Sequence, residues 1–127
     1  MSGTLGGGLQ RTVELQDGER VEYEDDAAWY ATWLRRNGKL YLTNQRLIWA
    51  GARPLWPLRG QPILAMPLGD ILATDVKVPL FGGVYRLLVR TRERTYSFSF
   101  LPTSLKEDVE EWWDMIEKAR GSHGTPS

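Results

Sequence analysis

Asn37-Gly38-Lys39-Leu40-Tyr41-Leu42-Thr43-Asn44-Gln45-Arg46-Leu47-Ile48-Trp49 is the stretch whose patterning decides the fold. An Asn-Gly pair tolerates positive φ at both central positions of a two-residue hairpin, so a tight turn is predicted at 37–38 and a strand over 39–43. A second tight turn at Asn44-Gln45 leads into a strand over 46–50, where β-branched and aromatic residues favour extended chain. On the N-terminal side Trp29, Ala31 and Trp33 alternate with Ala28, Tyr30, Thr32 and Leu34, which predicts a strand from Ala27 up to the turn. Three strands of a meander result.

Farther along, Pro54, Pro57 and Gly60 prevent a regular ladder between Gly51 and Gln61, so that segment is a long connection before a strand over 63–67. Further strands are predicted over 70–77, 84–91 and 94–100, the last two joined across Arg92-Glu93. Tyr96, Phe98 and Phe100 alternate with Ser97 and Ser99, implying one buried and one wet face. After Pro102 the period lengthens: Leu105, Val109, Trp112, Ile116 and Ala119 recur at helical spacing among acidic residues. Ser104 and Glu107 have the spacing of a capping box, and Gly121 is placed to stop the helix. Ahead of the meander, the acidic stretch 14–26 is a lead-in of loop plus short strand with a solvated outer face. The patterning predicts a mainly β domain over 9–120, with seven antiparallel strands in a bent sandwich or open barrel and one amphipathic C-terminal helix, Trp112 its plug. Residues 1–8 and 121–127 are glycine-rich or small and polar, and are expected to be flexible tails.

The 127 residues suffice for one core, and 16 basic residues balance 16 acidic ones, so no overall field recruits nucleic acid. There is no cysteine and His123 is the only histidine, which excludes disulfides and thiolate metal sites and leaves no cofactor or metal to expect. Met1 to Leu9 has neither the basic segment nor the apolar run of a secretory signal, and no stretch is apolar enough to span a bilayer, so the expected location is the cytoplasm. Ser97 and Ser99 have no plausible base, so no catalytic residue is assigned.

The stretch from Asn37 to Trp49 resembles the core of the GRAM domain, in which a glycine opens a Leu-Tyr-Leu-Thr strand and an Arg-Leu-Ile-aromatic strand follows. Gln16-Asp17-Gly18-Glu19-Arg20-Val21, Met66-Pro67-Leu68-Gly69-Asp70-Ile71 and Tyr96-Ser97-Phe98-Ser99-Phe100 extend the resemblance over nearly the whole domain. It implies a pleckstrin-homology-like fold with no catalytic residues; some relatives bind phosphoinositides or other proteins. The matching apolar residues build core and identify the fold without carrying its function.

A function is sought where charge gathers. Arg35, Arg36 and Lys39 flank the expected first turn, Arg53 and Arg59 lie in the third connection at the same end of a meander, and the fold implied by the resemblance brings Arg90, Arg92 and Arg94 to that end too. Leu55 and Trp56 sit between prolines amid this rim, in the manner of a loop that dips into a membrane. The leading expectation is therefore a non-catalytic module binding anionic lipid headgroups peripherally, at the inner membrane surface, through Arg35, Arg36, Lys39, Arg53, Leu55, Trp56, Arg59, Arg92 and Arg94. Equally open is a rim that is merely a solvated edge, with Trp56 folded back on the sandwich. The first loop is also shorter than in pleckstrin-homology domains that grip phosphoinositides tightly, which argues for non-specific attraction. The alternative is a protein-interaction module using a strand edge, the groove beside the helix or the Leu80-Phe81 loop.

Overall fold

The computed structural model describes residues 15–31, 34–51, 63–80, 83–101 and 103–124. Seven strands form one antiparallel sheet: β1 (Val21–Ala31), β2 (Leu34–Thr43), β3 (Arg46–Gly51), β4 (Ile63–Pro67), β5 (Ile71–Lys77), β6 (Arg86–Thr91) and β7 (Thr95–Phe100). Their order across the sheet is β4-β3-β2-β1-β7-β6-β5, and the sheet curls into a half-barrel. A single α-helix, α1 (Lys106–Gly124), packs across the curl against β5, β6 and β7. The expected seven strands and helix are all present, whereas the tail 1–8 and the loop around Trp56 lie outside the described residues.

The first hairpin is the main correction. Asn37 and Gly38 do not turn; they lie in the middle of β2, where Asn37 faces Ala28 and Gly38 faces Ala27 on one side and Gly51 on the other. β1 correspondingly starts earlier, at Val21, taking in half of what the sequence suggests is lead-in. The glycine is needed for packing. Trp49, fully buried on β3, lays its indole over Gly38, and a Cβ there would come within 2.8 Å of two ring atoms. The same indole reaches across β2 to donate Nε1–H to the Ala27 carbonyl at 3.0 Å, and its ring sits 5.3 Å from that of Trp29. Leu40, Leu42, Leu47, Met66, Leu87, Val89, Phe98 and Phe100 complete the concave core. A smaller cluster of Val21, Tyr41, Ile48 and Ala50 lies on the convex face.

The lead-in keeps the solvated outer face expected of it, with Glu22, Glu24 and Asp26 exposed, but one of its carboxylates turns inward. Glu19 is buried and accepts a two-pronged hydrogen bond from Arg46, from Nε to Oε2 at 2.8 Å and from Nη2 to Oε1 at 3.0 Å. Thr43 Oγ1 donates to Oε2 at 2.6 Å, and the backbone amide of Gln16 donates to Oε1 at 2.8 Å. Asn44 and Gln45 bond in turn to the carbonyls of Gly18 and Asp17, and Gly18 adopts φ +73°, a conformation glycine enters without strain. The Glu19 carboxyl is raised by burial, but the bonds from Arg46, Thr43 and Gln16 outweigh this and hold its pKa below the ordinary value.

The helix meets the sheet through Val109, Trp112 and Ile116, all buried, with Ala119 partly so, as the spacing predicts. Trp112 stacks on Phe100 at 5.6 Å and tilts against Tyr23 at 5.0 Å, filling the mouth of the curl. Three details differ from expectation. Leu105 is exposed just before the helix. Asp108 Oδ2, not Glu107, accepts the Leu105 amide, and Ser104 instead ties β7 to the segment before β6, accepting from the Phe100 amide and donating to the Tyr85 carbonyl. The helix also continues past Gly121 to Gly124, because one exposed glycine costs a helix only about 1 kcal/mol. Nor is the Ser97–Ser99 face wet: Ser99 is buried beneath Tyr30, whose hydroxyl lies 3.1 Å from its own.

Gly38→Ala is expected to cost about 3 kcal/mol in denaturant unfolding, because the methyl collides with the Ala50 backbone carbonyl and the Trp49 indole, whereas Asn37→Ala changes stability by less than about 0.5 kcal/mol. A turn at 37–38 would make both substitutions costly. Glu19→Gln is expected to lose about 1.5–3 kcal/mol at pH 7. Because the folded Glu19 pKa is depressed, its stabilisation is whole above the ordinary carboxylate range and disappears as pH falls through the folded value; the variant's stability curve is therefore flatter on the acid side.

Candidate functional site

The expected basic rim is spread along strands more than gathered on a turn. Arg35, Arg36 and Lys39 belong to β2, and strand alternation sends them to two faces: Arg35 and Lys39 to the convex side, opposite Tyr30 and Asp26, and Arg36 to the concave side, opposite Trp29. β2 outruns β3, whose last residue Gly51 faces Gly38, so Arg35 projects three residues beyond it, about 10 Å. Arg92 and Arg94 are exposed in the β6–β7 turn. Trp29 faces Phe98, so this turn lies at the same end of the β1–β7 pair as Arg35 and Arg36. Arg53, Leu55, Trp56 and Arg59 lie outside the described residues, as does Phe81.

Carboxylate partners divide the described cations. Arg20, Arg46, Lys106, Lys118 and Arg120 each pair with a carboxylate. Among the described residues, Arg35, Arg36, Lys39, Arg92 and Arg94 have no such partner, and Lys77, Arg86 and Arg90 on β5 and β6 are without one as well; Arg94 lies 5.5 Å from the Tyr96 ring centre. Arg86, which sequence reading passed over, stacks its guanidinium 3.7 Å from the Tyr30 ring centre, one strand position from Arg35. Only knowledge of the β1–β7–β6 pairing reveals that neighbour. Burial, with Glu24 and Asp26 nearby, raises the Tyr41 phenol on this convex face.

The two outer edges of the sheet are treated differently. On β5 the outward carbonyls of Leu72 and Thr74 accept hydrogen bonds from Arg120 Nη2 at 2.9 Å and Trp113 Nε1 at 3.1 Å, and the Val76 amide is met by the Asp75 carboxylate. On β4 the outward backbone has no partner among the described residues. Beside it, a hollow of about 250 Å³ lies between Ala65–Pro67, Asp70 and the β6–β7 turn, with Tyr96 on its wall. A second groove, about 450 Å³, separates α1 from the start of β1, lined by Tyr23, Leu42, Met115 and Ala119 with Arg20 and Lys118 at its lip. In the β5–β6 loop Leu80 is 80% exposed, and Val78 and Val84 are exposed beside it.

No family model matches this chain, and no curated protein does. Solved structures do. The N-terminal PH domain of Vps36 matches with a TM-score of 0.69 at 19% identity over 89% of this chain and 87% of that one. The hSac2 domain of the human phosphoinositide phosphatase Sac2 matches with a TM-score of 0.63 at 14% identity, covering 85% of this chain and 74% of the other. The N-terminal PH domain of human ARAP2 matches with a TM-score of 0.57 at 15% identity over 83% and 84%. The chain has the pleckstrin-homology-like fold. Among the described residues no group of three or more His, Cys, Asp or Glu is placed to hold a metal, and no helix is long and apolar enough to cross a membrane.

Removing both caps of the β5 edge with Trp113→Phe and Arg120→Met should cost about 1–3 kcal/mol for the two lost hydrogen bonds. It should also increase concentration-dependent self-association in analytical ultracentrifugation.

Proposed function

We propose that this chain is a non-catalytic binding module of the GRAM type that attaches peripherally to anionic membrane lipid through the end of the sheet bearing Arg35, Arg36, Arg92 and Arg94. The observation that carries this reading is the contrast in pairing: basic residues at the helix and lead-in are neutralised by neighbouring carboxylates, while those at this end have none among the described residues. Unpaired cations near an anionic bilayer contribute roughly 1 kcal/mol each, without needing a shaped headgroup pocket. Arg53, Leu55, Trp56 and Arg59 belong to the same proposal, since the connection containing them leaves β3 and enters β4 at this end of the first four strands. Lys39 contributes less, because Asp26 faces it across the ladder. The GRAM reading gains support from Gln16–Arg20 and Thr43–Arg46, two of its matching segments, which are bonded to one another. A cytoplasmic location at the inner membrane surface follows from the proposal.

A second reading, a protein-interaction module, draws on the bare β4 edge and the protruding Leu80, neither of which a lipid rim requires.

Liposome flotation tests the membrane reading. Binding is expected for anionic and not neutral vesicles, and should weaken as salt rises from 0.1 to 1 M and the screening length falls from about 10 to about 3 Å. Arg35→Ala/Arg36→Ala is expected to lower partitioning roughly 30-fold, with comparable losses for Arg53→Glu/Arg59→Glu and for Trp56→Ala. Absence of binding by the folded native chain to every vesicle would exclude this function.

A further inference from the structure

The open edge of β4 has a geometry that specifies its occupant. Leu68, just past the strand, donates its amide to the Gln45 carbonyl of the β3 side at 3.0 Å. In an antiparallel ladder, backbone groups alternate in direction, so Leu64 and Met66, opposite Trp49 and Leu47, turn their N–H and C=O groups toward β3. Ile63, Ala65 and Pro67 turn theirs outward. Two amides and two carbonyls, of Ile63 and Ala65, thus stand along one edge with no partner among the described residues; the Pro67 carbonyl opens the short 3-10 turn Leu68–Asp70. Pro67 blunts the far end of the strand, but no charge guards the rest: β4 is Ile-Leu-Ala-Met-Pro, with Ala65 small and Ile63 43% exposed. Sheet edges are normally blunted by lysine, a bulge or a covering element, and in this molecule β5 is blunted by two side chains of the helix. One edge is sealed, and the other has no cover among the described residues.

We infer that β4 is a strand-addition site for an extended, uncharged segment of another protein, whose backbone pairs with Ile63–Pro67 and one of whose large side chains enters the hollow walled by Tyr96. The hollow holds both signs of charge, Asp70 and Glu93 against Arg92, so a charged side chain of either sign meets a like charge there. A second copy of this chain does not fit. Symmetric pairing of β4 with β4 offers Leu64 and Met66 to the neighbouring hollow, yet both are committed to their own core. The inference names the surface used under the protein-binding reading and rests on that reading alone; the membrane rim does not depend on it.

The test begins with amide hydrogen exchange of the free chain. Ile63 and Ala65 are expected to exchange at least about 100-fold faster than Leu64 and Met66; equal protection would mean the edge is already covered and would overturn the inference. A displayed library of random 12-residue peptides is then selected on the full chain, and the enriched peptides are synthesised. They are expected to slow exchange at Ile63 and Ala65. Ala65→Pro removes one outward amide while leaving the bonds to β3 intact, and should weaken peptide binding about tenfold. Asp70→Ala, exposed on the wall of the hollow and outside the basic rim, provides a second variant that perturbs the hollow without touching the ladder. Failure to enrich any peptide, or enriched peptides insensitive to both substitutions, would overturn the proposal. So would protection of the same amides by a concentration-dependent dimer, which would assign the edge to a second copy. None of these results alters liposome flotation, so the two readings fail separately.

Discussion

The Trp49 indole spans three strands, and the rest of the sheet is arranged around that reach. It starts on β3, crosses β2 where residue 38 has no side chain, and ends in a hydrogen bond to a β1 carbonyl. A side chain at 38 would lift the ring, break that bond and open the contact with Trp29. Registers of β1, β2 and β3 are therefore tied to one another by a single side chain, and a slip of one residue would turn every core residue of the slipping strand outward. The indole also satisfies its own buried donor, which an aromatic of this size requires in a core.

The second organising element is local charge. Glu19, Thr43 and Arg46 form a compact polar clip that fastens the chain entering β1 to the β2–β3 turn. Removing any one member would leave buried polar groups without partners, at a cost larger than the net worth of the intact network. Neutralising carboxylates are thus concentrated at this end and along α1. At the opposite end of the first strands Arg35 and Arg36 have no carboxylate partner among the described residues, although the chain as a whole carries no net charge.

Strand count, the helix and its buried face were legible because period-two and helical patterns are set by burial, which sequence records directly. The sites of failure are equally physical. Asn37-Gly38 has the chemistry of a turn, and only the presence of Trp49 on a neighbouring strand shows that the glycine provides space and not positive φ. Glu19 lies in an acidic run and so resembles its solvated neighbours until Arg46, 27 residues away, closes on it. Ser104 has a capping spacing but serves β6 and β7. Arg35 and Arg36 were recognisable as candidates from their place beside the expected first turn, yet their separation onto two faces follows from the moved hairpin. The bare edge of β4 could not be read at all, since which strands end a sheet depends on topology.

The capping of β5 by the helix also has a consequence in time. Leu72 and Arg120 are 48 positions apart, and at synthesis rates of 5–20 residues per second the strand emerges roughly 2–10 s before its cover exists. During that interval the nascent sheet has two open edges in place of one, a far longer period than strand pairing itself needs. Folding of α1 onto the sheet therefore does more than close the core: it ends a window in which the newborn chain is most able to pair with the wrong neighbour.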